Sequence, residues 1–348
     1  MLIIMNLDAG RNRIDGVVRK IRELGLVPHE IPGERRIAIG ITGNRSKLDP
    51  DLFLNLPGVI EAIAVSRPYK LVSREMKREN TVIGFGDDTV GGNEIALIAG
   101  PCSVESREQI IDMAWTLREL GVRFLRGGAF KPRTSPYAFR GLREKALEFL
   151  AEARALTGMH IVTEVMETGS VTEVAAAADI IQIGARNMQN YPLLEAVGRA
   201  SRPVLLKRGM AATIEEFLMA AEYIVSAGNY NVILCERGIR TFEPSTRFTL
   251  DLNAVPVVKK ASHLPIIVDP SHGTGAWDCV PDMALAAIAA GADGLIIETH
   301  AHPENALSDG YQSLKPAKLA GLIERLGAMS AVLGRSFLPA HQPGGILR

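Results

Sequence analysis

Apolar and polar positions change their rhythm once along the chain. Over residues 1–66, short apolar runs and amphipathic stretches follow in the order βαββαβ. Leu2–Asn6 reads as a strand, and Arg11–Leu24 as a helix with Val17, Ile21 and Leu24 on one face. Leu26–Ile31 and Arg36–Ile41 are strand-like, with Pro32 and Gly33 as the turn between them. Asp49–Leu56 predicts a second helix and Gly58–Val65 a last strand. That order is the split βαβ, ferredoxin-like pattern. It carries no evident catalytic cluster, which fits either a folding or dimerisation appendage or a small-ligand regulatory module. Residues 67–93 read as a joint, with a hairpin of Val82–Phe85 and Glu94–Ile98 around GDDTVGGN.

From residue 94 to 334 the rhythm is a repeated strand and helix. Short apolar strands end near Ala99, Leu125, Val162, Ile183, Leu206, Leu234, Val268 and Ile297, and each gap holds one helical segment, such as Thr213–Ala227. Eight βα units over roughly 240 residues match a (β/α)8 TIM barrel. A doubly wound open sheet is the alternative, but the first βα turn lacks GxGxxG. The fold class read from the pattern is therefore α/β, a (β/α)8 barrel preceded by a small α+β ferredoxin-like domain. Residues 335–348 form a tail with no assigned role.

Candidate chemistry lies where a barrel builds its site, just after each strand. Arg126, Lys131, Arg133, Arg186, Lys207 and Arg237 all fall at strand ends. So many cations on one rim repel each other unless anions bind there; Arg offers a bidentate fork to phosphate or carboxylate and Lys a point charge. Cys102, His272, Glu298 and Asp309 fall on the first, seventh and eighth loops, which adjoin once a barrel closes. A mixed thiol, imidazole and carboxylate set suits Mn²⁺, Fe²⁺, Co²⁺ or Zn²⁺ better than Mg²⁺ or Ca²⁺. Cys235, inside the sixth strand, and Cys279 read as structural. His300 and His302 compete with His272, which the flanking Gly273 and Gly275 favour by allowing close backbone approach.

Composition narrows the partners. Lys plus Arg and Asp plus Glu both number 39, so net charge is zero and nothing draws the chain in bulk to nucleic acid or anionic lipid. No apolar run reaches the ~18 residues of a membrane span, and MLIIMNLDAG lacks the basic n-region of a signal peptide. Three sparse cysteines point to a reducing, cytoplasmic setting.

GPCSVES, RGGAFKPRTSPYAF, IGARNMQN, DPSHGTG and IETHAHPENALSDGYQSL, in that order, resemble the 3-deoxy-D-arabino-heptulosonate 7-phosphate (DAHP) synthases. The closer likeness is to the shorter type I subgroup that includes 3-deoxy-D-manno-octulosonate 8-phosphate synthases. It covers about 68–334, and residues 1–66 resemble the ferredoxin-like domain of some members. The resemblance implies condensation of phosphoenolpyruvate with erythrose 4-phosphate and water, releasing phosphate, at the entry to the shikimate pathway. It implies that Arg126, Lys131, Arg186, Lys207 and Arg237, with the backbone of Gly184 and Ala185, hold phosphoenolpyruvate, and that Arg133, Thr134 and Ser135 hold the erythrose phosphate. It makes Cys102, His272, Glu298 and Asp309 ligands of one divalent metal ion per subunit. Lys131 is then the candidate proton donor, and Glu164 or Asp269 the group that places water. It further implies a homotetramer with phenylalanine or tyrosine as effector; the segment VPHEIPG offers His29 but no hydroxyl for a tyrosine. An octulosonate synthase using arabinose 5-phosphate is the near alternative, disfavoured by the KPRTS form of 131–135 and by Cys102. A non-catalytic anion-binding barrel is the alternative of another class.

Overall fold

The computed structural model describes residues 1–32, 37–44, 48–63, 68–131, 137 and 139–337. They form two compact units, residues 1–79 with 261–263, and residues 80–260 with those from 264 on.

The first unit runs β1 (Leu2–Met5), α1 (Arg11–Glu23), β2 (Val27–Pro32), β3 (Ile37–Thr42), α2 (Asp51–Leu54) and β4 (Val59–Ile63). The strands pair antiparallel in the order β2-β3-β1-β4. This is the ferredoxin-like arrangement that the pattern predicts. α1 buries Ile14, Val17, Val18 and Ile21 because they recur at helical spacing. Leu24 is the exception: it lies at the C-cap, just past the last turn, and is 40% exposed. Ile3 and Met5 of β1, Ile39 and Ile41 of β3 and Phe53 of α2 complete the core. Phe53 has no exposed surface. Phe53→Ala is expected to cost about 3–5 kcal/mol by transfer and cavity terms, read as a lower urea midpoint for the first transition involving this unit.

The second unit opens with a hairpin, and here the sequence expectation is corrected. β5 (Ile83–Phe85) pairs with β6 (Asp88–Val90), not with 94–98, through the two-residue turn Gly86–Asp87. Gly86 has φ 64°, as such turns require. Glu94–Gly100 is instead β7, the first strand of the barrel. The remaining barrel strands are β8 (Phe124–Arg126), β9 (His160–Val165), β10 (Ile180–Ile183), β11 (Val204–Lys207), β12 (Val232–Glu236), β13 (Ile266–Val268) and β14 (Gly294–Glu298). All are parallel, and β14 pairs with β7 to close the ring. Around them lie α3 (Arg107–Glu119), α4 (Glu144–Thr157), α5 (Val171–Ala177), α6 (Tyr191–Gly198), α7 (Ile214–Ser226), α8 (Ala254–Ala261), α9 (Pro270–Thr274), α10 (Val280–Ala289) and α11 (Pro316–Val332). α7 starts at a capping box, in which Thr213 accepts from the Glu216 backbone and Glu216 reaches back to the Thr213 N–H.

Ala96, Ile98, Phe124, Val162, Ile180, Leu205, Ile233, Cys235, Ile267 and Ile296 fill the barrel, joined by Ile83, Phe85 and Val90 of the hairpin. Phe85 meets Phe124 edge-on with ring centroids 5.3 Å apart. The hairpin therefore completes the core at the end where the strands begin, and leaves the opposite end for chemistry. After α11, β15 (Ser336–Phe337) adds to the start of β7, so the tail given no role from the sequence begins as a strand. Residues 338–348 lie outside the described ones.

Candidate active site

Strand ends place the cations. Arg126 and Lys207 are the last residues of β8 and β11, Arg237 directly follows β12, and Gly184, Ala185 and Arg186 follow β10. Together with Lys131, Glu164, Gln182, Arg247, His272 and Asp309 they line one cavity of about 190 Å³. Five of the six cations expected from the sequence thus converge. The sixth, Arg133, with Thr134 and Ser135, lies outside the described residues. Arg247 takes a place that sequence reasoning missed, because it comes from a loop and lies eleven residues beyond the end of its strand at Glu236. Arg126 and Arg237 are only 4% and 5% exposed, and Arg126 Nε and Arg237 Nη1 are buried with no hydrogen-bond partner among the described residues. Burial lowers the Arg237 pKa, and its guanidinium stacks on the Phe248 ring with Cζ 4.1 Å from the centroid. Buried donors without acceptors are costly unless a ligand supplies the acceptors. These two fit an anion.

Two glycines allow this packing. A Cβ on Gly184 would lie 2.1 Å from Glu164 Oε1, and one on Gly128 would lie 2.7 Å from the Cys102 carbonyl oxygen and 2.8 Å from Lys131 Cδ. The first lets the Glu164 carboxylate sit against the β10 loop. The second lets Lys131 turn back so that its Nζ donates to Cys102 O at 2.8 Å and Sγ at 2.9 Å. Glu164 accepts from Gln182 Nε2 at 3.2 Å. Burial raises its pKa against the opposing pull of Lys131, Lys207 and Arg126.

The candidate ligands meet beside this cavity. One ligand atom each from Cys102, Glu298 and Asp309 lies within 4.8 Å of the others. Cys102 Sγ donates to Asp309 Oδ2 at 3.1 Å. Asp309 holds its carboxylate there from a left-handed backbone, φ 48°, which Asp tolerates better than most residues. Glu298 ends β14 fully buried, with Oε1 2.7 Å from Arg126 Nη1 in an ion pair that lacks hydrogen-bond alignment. His272 stands one step back: its Nε2 is 3.5 Å from Glu298 Oε1 and its Nδ1 is 2.7 Å from Asp269 Oδ2. Burial holds the imidazole down at about 4 despite Asp269, so it is neutral and offers Nε2 as a lone-pair donor. Burial also pushes the Cys102 thiol up to about 12, with Glu298 adding to the rise and Lys131 opposing it. Burial would raise the Glu298 pKa, but His272, Arg126 and Lys131 outweigh it and hold the carboxylate low. A thiol, a neutral imidazole and two anionic carboxylates, one with a buried unsatisfied oxygen, fit a borderline divalent cation.

Asp269 does not line the cavity. Its Oδ1 caps α9 by accepting from the His272 N–H at 2.9 Å, and its Oδ2 binds His272 Nδ1 and the Lys207 ammonium. Both oxygens are engaged in this way, and the contact to Nδ1 fixes the orientation of the His272 ring. His300 and His302 do not join: His300 Nε2 faces Glu105 at 3.7 Å and the His302 side chain is 71% exposed. Cys235 is buried in the barrel core and Cys279 is exposed.

A closed (β/α)8 barrel whose C-terminal rim holds buried guanidinium donors without hydrogen-bond partners among the described residues, beside a thiol–carboxylate cluster, is the layout of an enzyme acting on small anionic substrates. Residues 76–333 match the DAHP synthetase I family and residues 1–67 match the DAHP synthase ferredoxin-like domain, so the chain belongs to the DAHP synthetase I family. It is 50% identical over 334 residues to a phospho-2-dehydro-3-deoxyheptonate aldolase of Thermotoga maritima, covering 96% of this chain and 99% of that one. It is 35% identical over 268 residues to a 2-dehydro-3-deoxyphosphooctonate aldolase of Bradyrhizobium diazoefficiens, covering 72% of this chain and 93% of that one. The crystal structure of the Thermotoga maritima DAHP synthase superposes with a TM-score of 0.78 at 49% identity, covering 97% of this chain and 98% of that one. Among the described residues no helix is long and apolar enough to cross a membrane.

Proposed function

We propose that the chain condenses phosphoenolpyruvate with erythrose 4-phosphate and water to DAHP and phosphate, with a divalent metal ion held by Cys102, His272, Glu298 and Asp309. The observation that carries this reading is one cavity lined by buried Arg donors that lack hydrogen-bond partners among the described residues, with the Cys102–Glu298–Asp309 cluster beside it and reaching its lining through Asp309. Arg126, Lys131, Arg186, Lys207 and Arg237 hold the phosphate and carboxylate of phosphoenolpyruvate and present its C3. A divalent cation held by Cys102, His272, Glu298 and Asp309 would supply Lewis-acid polarisation at the sugar aldehyde. C3 attacks the aldehyde carbon, and Lys131 delivers a proton to the new alkoxide oxygen. Burial pulls the Lys131 pKa down, but Cys102 and Glu298 outweigh it and the net direction is up, so it carries its proton at neutral pH. Water adds at C2, and Glu164, whose raised pKa suits a proton acceptor, takes its proton. The new C2 hydroxyl then gives its proton to the departing phosphate as the bond between C2 and the phosphate ester oxygen breaks, leaving the C2 ketone, and the proton on Glu164 returns to Lys131. Positioning and fixed charge do most of the work. Arg133, Thr134 and Ser135 are proposed to hold the erythrose phosphate.

The 50% identity to a heptonate enzyme over nearly the whole chain, against 35% to an octonate enzyme over the barrel, favours erythrose 4-phosphate. A phosphate-release assay with each sugar tests this. Faster turnover with arabinose 5-phosphate would overturn the choice, and binding of phosphoenolpyruvate without turnover of either sugar would support the non-catalytic reading. The first unit is proposed to bind an aromatic amino acid in a cytoplasmic homotetramer. Thr42 supplies the hydroxyl that the segment around His29 lacks in sequence, at 2.8 Å from His29 Nε2 across β2 and β3. Inhibition of the full chain by phenylalanine and by tyrosine, with light scattering for the assembly, checks both parts.

A further inference from the structure

We infer that Gln312 is a positioning residue for the metal ligand Glu298, and that Arg247 locks Gln312 in the orientation this requires. The inference rests on the metal reading above. Gln312 has no exposed surface. Its Nε2 donates to Glu298 Oε2 at 2.6 Å, and its Oε1 accepts from Arg247 Nη1 at 2.7 Å. A primary amide has one donor end and one acceptor end. Turned over, it would set oxygen against the Glu298 carboxylate and nitrogen against a guanidinium, two repulsive contacts in a dry setting. Arg247 therefore fixes which way the amide points. With Oε2 committed to Gln312, the oxygen of Glu298 left without an aligned hydrogen bond is Oε1, which faces His272 Nε2 at 3.5 Å and forms the 2.7 Å ion pair with Arg126 Nη1. Gln312 thus selects which carboxylate oxygen is offered to a cation. Arg247 also lines the anion cavity and lies 3.6 Å from Asp309 Oδ1, so one side chain spans the substrate wall and the ligand cluster.

Charge and orientation make opposite forecasts for Arg247. If it acted only as a nearby cation, removing it would tighten metal binding. If it acts by holding the amide, removing it loosens the metal.

The test is Co²⁺ titration of the chelator-stripped full chain, followed by the thiolate-to-metal charge-transfer absorption that Cys102 would contribute. Gln312→Met is expected to raise the Co²⁺ dissociation constant by ~10–100-fold, the usual effect of losing such a partner. Arg247→Met is expected to loosen Co²⁺ in the same direction, and the double variant to be no weaker than Gln312→Met alone. Phosphoenolpyruvate binding to metal-free Gln312→Met should stay within about twofold of wild type, since Gln312 does not line the cavity. Wild-type Co²⁺ affinity in Gln312→Met overturns the proposal while leaving the metal reading intact. Tighter binding in Arg247→Met overturns the locking role. Failure of the wild-type chain to bind Co²⁺ at all sinks the metal reading and this inference with it. Arg247 is partly exposed, so its variant carries the test if Gln312→Met does not fold.

Discussion

Removing divalent metal with EDTA is expected to stop turnover, and adding Mn²⁺, Co²⁺ or Zn²⁺ to restore it, while phosphoenolpyruvate still binds. Aldehyde polarisation by a cation contributes several kcal/mol to the barrier, so the loss should be orders of magnitude rather than a fraction. The protonation states also fix the pH dependence of metal uptake. The Cys102 thiol, at about 12 without a cation, must lose its proton to become a ligand. His272, at about 4, is already neutral above pH 5, and Glu298 is already ionised. One proton leaves per ion bound, so affinity should rise about tenfold per pH unit between pH 6 and 8. Undiminished activity in verified metal-free protein would refute the metal claim. A slope of two protons would refute the assignment of neutral His272.

Arg126→Met is expected to be the most damaging single substitution on the cation wall. Arg126 is 4% exposed and pairs with Glu298, which is not exposed at all. Removing one partner strands a buried carboxylate, at a cost of about 3–5 kcal/mol. The variant also loses the fork proposed to hold the anion, for a further expected drop of about 10²–10³-fold in kcat, the scale seen when one charge-stabilising donor is removed. Arg126→Lys keeps the charge without the fork and should recover stability more than turnover. Urea unfolding and steady-state kinetics on both variants check this. Near-wild-type kinetics in Arg126→Met would exclude it from the substrate site.

The barrel was legible because parallel strands buried on both faces read as short continuous apolar runs, and their spacing leaves room for one helix each. The hairpin was misread because GDDTVGGN holds two turn candidates, and the apolar run at 94–98 looks equally able to pair. What decides is that those residues are needed to close the ring against β14. At the site, charge at a strand end was a strong signal for Arg126, Lys207 and Arg237. Arg247 gave no such signal, since its approach depends on how the loop after β12 folds back. Gln312 gave none either: a neutral amide announces nothing until its two ends are seen between a carboxylate and a guanidinium. Asp269 is the opposite case. It was visible as an acid at a strand end, but its direction, inward to Lys207 and His272 rather than outward to the cavity, is a matter of packing.

The ring closes between its first and last strands, β7 and β14, and the ligand cluster straddles that seam. Cys102 and Asp309, whose side chains touch, are 207 positions apart. During synthesis the thiol leaves the ribosome long before either carboxylate partner exists. A divalent ion that needs all of these groups could therefore not be captured until nearly all of the chain has been made, and could not serve as an early template for folding. Topology alone must bring distant strands together first, which is the slow part of assembling such a barrel, and capture of an ion at the proposed site would then report that the ring is complete.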